Sequence, residues 1–219
     1  EVIKRTGHDG NTLVLFLSDN GIPFPGAKTT LYDAGVRLPL IVHKPGRKAA
    51  VSAAMASWVD ILPTILDHAG VKPPAGLAGR SLLPVLGKEG PEGRDEVFAS
   101  HVCHEVTMYY PMRAIRTRQY KYIRNLAHAL EFPSASDLYG SPSWQSIRAK
   151  KLFMMGKVRT ATFLRRAAEE LYDVRKDPAE SHNLAGHPDH AKTLESLRAR
   201  LKAWQEKTAD PWLVKYEHE

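Results

Sequence analysis

A single cysteine, Cys103, stands among 219 residues, so no disulfide can close within the chain and the redox compartment stays open. No apolar run approaches the roughly 20 residues that a bilayer-spanning helix needs. The most apolar stretch, Leu13 to Leu17, stops at Ser18-Asp19-Asn20, and no membrane partner is expected. Internal repeats and low-complexity tracts are missing as well. Neither an initiator Met nor a signal-type apolar segment opens the chain at Glu1, which reads as a cut start with an upstream portion expected. Global disorder is excluded by a composition that is 43% hydrophobic and 25% charged, the balance of an ordinary globular protein. Cations exceed anions by 31 to 24, a net charge of +7. They are scattered, with short clusters such as Arg148-Ala149-Lys150-Lys151 and Arg165-Arg166. A solvated basic surface is the reading, with no nucleic-acid partner. The alternative is attraction for a polyanion, which a sulfated sugar polymer satisfies as well as nucleic acid does.

What is present divides near residue 95. Thr12 to Leu17 is a continuous apolar run bounded by polar residues, as in a strand buried on both faces of a sheet flanked by helices. Leu38 to His43 reads as the next strand. Ser18-Asp19-Asn20-Gly21 then occupies a strand's carboxyl end, where open α/β sheets place their ligands. A helical pattern from Ala53 to Ala69, interrupted at Pro63 and stopped at Gly70, precedes a Pro- and Gly-rich stretch from Lys72 to Arg94. Beyond it, Val97 to His101, Met112 to Thr117 and Tyr120 to Arg124 predict an antiparallel sheet joined by tight turns. Ala127 to Pro142 reads as irregular. Helices are expected around Trp144 to Leu152 and Val158 to Glu169, with a long amphipathic helix from about Asp189 to Lys207 lidding the sheet through Leu194, Leu197, Leu201 and Trp204.

An ionised Asp beside an Asn carbonyl supplies two hard oxygen donors, which suit calcium or magnesium and suit zinc poorly. Asp-Asn-Gly alone is a common turn, so the rest of the chain decides. Leu15 to Gly21 resembles the second metal-binding strand end of the sulfatases, members of the alkaline phosphatase superfamily. Lys28-Thr29-Thr30, Arg37 to Val42, Val59 to Val71 with Gly79 to Pro84, and Glu170 to Asp173 with Asp177-Pro178, Glu180 and Asn183-Leu184-Ala185 follow in that family's order. His104 to Arg113, Gly21 to Pro25 and Asp210-Pro211-Trp212 resemble its sulfamidase branch.

The resemblance implies an α/β fold: residues 1–95 as the C-terminal part of an alkaline-phosphatase-like catalytic domain, and 96–219 as a small antiparallel-sheet subdomain with packed helices. It implies a hydrolase that removes N-linked sulfate from glucosamine residues of heparan-type sugars, working in a periplasmic, secreted or lysosome-like compartment. Asp19 and Asn20 would ligate Ca2+, with Mg2+ as the substitute. The family's nucleophile is a formylglycine made from Cys or Ser in a Cys/Ser-x-Pro/Ala-x-Arg motif. That motif is absent here, so the formylglycine is expected upstream and this chain alone is expected to be inactive. Cys103, within Val102-Cys103-His104-Glu105, reads as a buried or incidental thiol.

Lys28 falls where the family places a cation on the sulfate oxygens, a place at which the sulfamidase branch usually has Arg and its bidentate geometry. His104 and Glu105, just past a strand end, are candidates to bind the sugar, with a structural ion pair as the alternative. Arg113 either reaches an anion in the cleft or braces the sheet. Tyr109-Tyr110 packs in the core or walls a sugar ring. Asp60, Asp67 and His68 read as capping and surface groups. Rival functions are an O-sulfatase or phosphoester hydrolase of the same superfamily and a non-catalytic sugar-binding remnant. A sheet edge left without its expected upstream half would also favour self-association into a homo-oligomer.

Overall fold

The computed structural model describes residues 1–216. In chain order the elements are α1 (Val2–Arg5), β1 (Val14–Leu17), α2 (Asp33–Val36), β2 (Leu40–His43), α3 (Ile61–His68), β3 (Glu96–Cys103), β4 (Tyr109–Thr117), β5 (Tyr120–Asn125), α4 (Ser136–Tyr139), α5 (Pro142–Ala149), β6 (Met154–Met155), β7 (Val158–Arg159), α6 (Thr160–Leu164), β8 (Glu169–Asp173) and α7 (Ala191–Lys207). They gather into two compact units, residues 1–18 with 39–97 and residues 19–38 with 98–219. The segment 19–38, which follows the first strand in sequence, therefore makes its contacts in the second unit.

In the first unit β1 pairs antiparallel with β2, and Phe16 lies directly opposite Ile41. These two side chains are 60% and 62% exposed, so the strand is covered on one face only, and the two-sided burial expected from its composition is not found among the described residues. Helix α3 starts at Ile61 rather than Ala53, after a 3-10 turn over Trp58–Asp60. Pro63 lies in its first turn, where the missing N–H has no helical acceptor to lose. Gly70, at φ +68°, stops it. Asp60 is a buried hub rather than a surface group. Its carboxylate accepts the Ser57 N–H at 3.1 Å, the Arg80 N–H at 2.7 Å and the Arg94 guanidinium at 2.8 Å. Arg94 is 5% exposed and donates onward to the carbonyls of Arg80 and Ser81 at 2.9 and 2.8 Å.

The second unit is built on a four-stranded sheet in the order β3-β4-β5-β8. Alternation along each strand sends Met112, Ala114, Ile123 and Tyr172 to one face, where Phe132, Leu138, Trp144 and Phe163 cover them. Ile115, Tyr122 and Leu171 point to the other face, against Leu194, Leu197 and Leu201 of α7. The amphipathic helix is thus a lid on the sheet, as its spacing predicts. The helix expected from Val158 to Glu169 is replaced by β7, the five-residue α6 and the start of β8. Arg166 explains the break: it is 4% exposed, with its guanidinium 3.5 Å from the centre of the Phe132 ring, a placement that a continued helix would not allow.

A buried charge on β5, Lys121, meets the 19–38 segment at Asp33. The ammonium of Lys121, a residue 0% exposed, lies 2.6 Å from Asp33 and 2.7 Å from Glu180. Arg116 adds a second cation on Asp33 at 3.0 Å. Burial works against ionising Asp33, but Arg116 and Lys121 outweigh it and hold its pKa down at about 2. Glu180 goes the other way, because its burial exceeds the pull of Lys121 and raises its pKa. A depressed carboxyl contributes stability that is complete above its unfolded pKa, 3.8, and is lost as pH falls through the folded value, about 2. For Asp33 that loss is on the order of 2 kcal/mol. Glu180 has the opposite sign: stability falls as pH rises from its unfolded pKa, 4.5, to the raised folded value and is level above that. Urea midpoints measured against pH should therefore fall between pH 4 and pH 2, and Glu180→Gln should change only the higher-pH arm. A midpoint that is flat across that acid window contradicts the assignment.

Candidate functional site

The segment 19–38 is a loop closed on its own backbone. The Gly21 N–H donates to Gly35 O at 3.1 Å and the Lys28 N–H to Ile22 O at 3.2 Å. The closure requires both glycines: a Cβ on Gly21 would meet Ala34 O at 2.3 Å, and one on Gly35 would meet Ala27 O at 2.4 Å. Long-range bonds dock the loop onto the sheet layer, from Tyr32 Oη to Glu170 at 2.8 Å and from the Asp33 N–H to Glu180 at 2.5 Å. Thr29, next to Lys28, sits at φ +68°. A β-branched residue there costs of order 1–3 kcal/mol and persists only where its surroundings impose it.

Lys28 projects from this loop to Asp137, 2.6 Å away at the start of α4. The hydrogen bond from Lys28 is the main cause of a lowered Asp137 pKa, with His104 adding to it through its charge. Glu105 reaches the same helical turn, accepting the Ser136 N–H at 2.5 Å and the Ser136 hydroxyl at 2.8 Å. Two of the residues singled out in the sequence, Lys28 and Glu105, thus converge on Asp137 and Ser136, while the backbone N–H of His104 donates to Met108 O at 3.3 Å. Ser136 and Asp137 fall in the stretch that reads as irregular, although a Ser-Asp pair ahead of an apolar residue is a helix-start signal. Asp19 and Asn20 open the loop, Asp19 exposed and Asn20 half-buried. The Asn20 amide nitrogen donates to Gly21 O at 2.8 Å, and the Asn20 N–H donates to the Asp19 carboxylate at 2.9 Å.

Residues 27–151 match the family described as N-sulphoglucosamine sulphohydrolase, C-terminal. Human N-sulphoglucosamine sulphohydrolase is 40% identical over 226 aligned residues, which take in 96% of this chain and 45% of that protein. The chain belongs to the N-sulphoglucosamine sulphohydrolase family. The sulphohydrolase match takes in Lys28, His104, Glu105, Ser136 and Asp137, while Asp19 and Asn20 precede it. Among solved structures, a 2-O GAG sulfatase is similar with TM-score 0.67 and 26% identity, over 94% of this chain and 38% of that one. A protein solved in complex with its substrate D-glucosamine-2-N,6-O-disulfate is similar with TM-score 0.65 and 25% identity, over 95% of this chain and 37% of that one. The fold is accordingly the alkaline-phosphatase-like α/β fold of the sulfatases, and the chain spans less than half the length of these relatives.

Arg113 braces the sheet: its guanidinium forks onto Asp210 at 2.5 and 2.9 Å, both residues buried. Tyr110 is 0% exposed and packs edge-on against Phe132, whereas Tyr109 is 45% exposed and leans on Trp212. Cys103 is exposed rather than buried. Among the described residues no three His, Cys, Asp or Glu side chains form a metal-holding group. Asp19 and Asn20 offer one carboxylate and one amide oxygen, hard donors that fit part of the six to eight oxygens calcium takes.

Proposed function

We propose that this chain is part of a hydrolase that removes the N-linked sulfate from glucosamine residues of heparan-type sugars. The observation that carries the reading is the convergence of Lys28 and Glu105 on one helical turn, in a chain of this family. Lys28 can hold Asp137 and still donate to a sulfate oxygen, because an ammonium has three N–H groups. Asp137 fixes where that ammonium stands, and the closed loop fixes its backbone, so the positive charge is in place before the oxyanion develops. Glu105 has spare lone pairs beyond the two hydrogen bonds from Ser136, enough to accept a sugar hydroxyl or amine. Asp19 and Asn20 would contribute oxygens to a Ca2+ ion, or Mg2+ in its stead, which when bound would neutralise charge on the sulfate. Proton transfer to the leaving group and attack on sulfur fall to groups outside these 219 residues, the formylglycine among them.

The test is turnover by the complete protein carrying this sequence, offered glucosamine N-sulfate, a glucosamine O-sulfate and a phosphoester. Release of sulfate from the N-sulfate is expected, and Lys28→Ala should lower kcat about 100-fold, the usual effect of removing one oxyanion donor. Since Asp137 is half-exposed, the ion pair adds little to stability and unfolding should not account for the loss. Preferential turnover of the O-sulfate or the phosphoester, or a Lys28→Ala enzyme as fast as the parent, would overturn the reading.

A further inference from the structure

Helix α4 has a second neighbour. One turn beyond Ser136 and Asp137, Tyr139 enters the lining of an open groove of about 800 Å³. Tyr139 follows Ser136 by three residues, so the two share a helix face about 5 Å apart along its axis, and the groove begins within a sugar ring's length of the residue that Glu105 holds. Its lining is largely apolar and aromatic, with Arg148 and Lys151 as its basic residues. Phe153 and Tyr139 are 67% and 48% exposed. A guanidinium is held against each ring, Arg159 at 5.3 Å from the centre of Phe153 and Arg148 at 4.7 Å from that of Tyr139. Arg148 and Lys151 are the two cations of the lining, against the single acid Glu131, and Arg159 stands behind Phe153 outside it. Trp144 lines the same groove, 4% exposed, and its indole N–H meets no acceptor among the described residues. Buried indole N–H groups nearly always have one.

We propose that this groove is a binding subsite for an anionic saccharide, receiving the sulfated or carboxylated sugar units that adjoin the one held at the Lys28 turn. The proposal rests on the hydrolase reading and names the length of substrate it takes. Exposed rings paired with guanidinium groups suit a ligand that alternates C–H faces with anionic substituents, because the ring takes the apolar face while the cation takes the charge. An excess of cations over a lone carboxylate sets the sign of that ligand. A stacked single-stranded nucleic acid shares some of this chemistry. The saccharide is favoured because the groove adjoins, on the same helix, the site of a family whose human member is a sulphohydrolase of a sulfated amino sugar.

Two variants test it in the complete protein. Phe153→Ala removes an exposed ring. Lys151→Gly removes a cation at φ +49° just after the α5 C-cap, a position at which glycine is the favoured residue, so folding is not put at risk. Calorimetric affinity should be measured for a sulfated heparan-type tetrasaccharide, its desulfated form, and a single-stranded oligonucleotide of equal charge, with turnover of monosaccharide glucosamine N-sulfate alongside. Phe153→Ala should weaken the sulfated tetrasaccharide about 10-fold, and Lys151→Gly about 3-fold with a shallower salt dependence. Monosaccharide turnover should be unchanged in both. Tetrasaccharide affinity equal to that of the parent in both variants overturns the subsite, as does oligonucleotide binding that matches or exceeds it. If the monosaccharide is not hydrolysed by the parent protein but the tetrasaccharide affinities fall as stated, the hydrolase reading fails and the groove stands.

Discussion

Replacing Lys121 with methionine should lower the stability of the second unit by about 3–5 kcal/mol, the usual cost of removing one partner from a buried ion group. Methionine has nearly the same length and volume, so no cavity opens, and the change isolates the charge. What remains is a pair of carboxylates, Asp33 and Glu180, that both lay within 2.7 Å of the lost ammonium. Arg116 still holds Asp33. Glu180, 4% exposed and with its pKa already raised by burial, loses its nearest counter-charge and keeps the Asp33 N–H. The double variant Lys121→Met/Glu180→Gln should therefore recover at least half of the loss, since it removes the uncompensated charge and keeps the acceptor for Asp33. Chemical denaturation of the three proteins at neutral pH gives the comparison. A single variant within 1 kcal/mol of the parent would show that the cluster contributes little.

Asp60→Ala is expected to be comparably severe, about 3–5 kcal/mol, in the first unit. One carboxylate there satisfies Ser57, Arg80 and Arg94, and alanine would leave the Arg94 guanidinium buried without its counter-charge. The consequence should be local before it is global. Amides of residues 80–82 are held by Asp60 and by Thr64, whose hydroxyl accepts the Leu82 N–H at 2.9 Å. Hydrogen exchange in that stretch should rise well above the change seen in α3 itself. Asp60→Asn, which keeps an acceptor but not the charge, should fall between the two. Unaltered exchange at 80–82 in the alanine variant would remove Asp60 from the role of hub.

The sequence makes the second unit's sheet legible because alternation over Met112 to Thr117 and Tyr120 to Arg124 is a local signal. The same holds for α7, whose four apolar positions repeat on one face. Local signals fail where the deciding partner is distant. The apolar run at β1 reads as doubly buried, yet Phe16, opposite Ile41, is 60% exposed. The helical pattern over 158–169 yields to Arg166, whose aromatic surroundings are assembled from Tyr32, Phe132 and Phe163. Asp60 looks like a cap because a cap is what its neighbours in sequence show, while Arg80 and Arg94 lie 20 and 34 positions onward. For the site, family resemblance marks Lys28, His104 and Glu105, and nothing in the spacing reveals that Asp137 and Ser136 bring Lys28 and Glu105 to one helical turn. Those contacts join positions 31 and 109 apart.

The loop 19–38 also sets an order of events during synthesis. Its docking bond from Asp33 is to Glu180, a residue 147 positions later. A ribosome adding roughly 5–20 residues per second needs about 7–30 s to cover that distance. Until then Asp19, Asn20 and Lys28 have left the ribosome without the bond that ties their loop to Glu180, and a chaperone or a premature partner has that interval in which to meet them. Slow codons or pauses between positions 34 and 180 would lengthen the exposure without changing any residue of the finished protein.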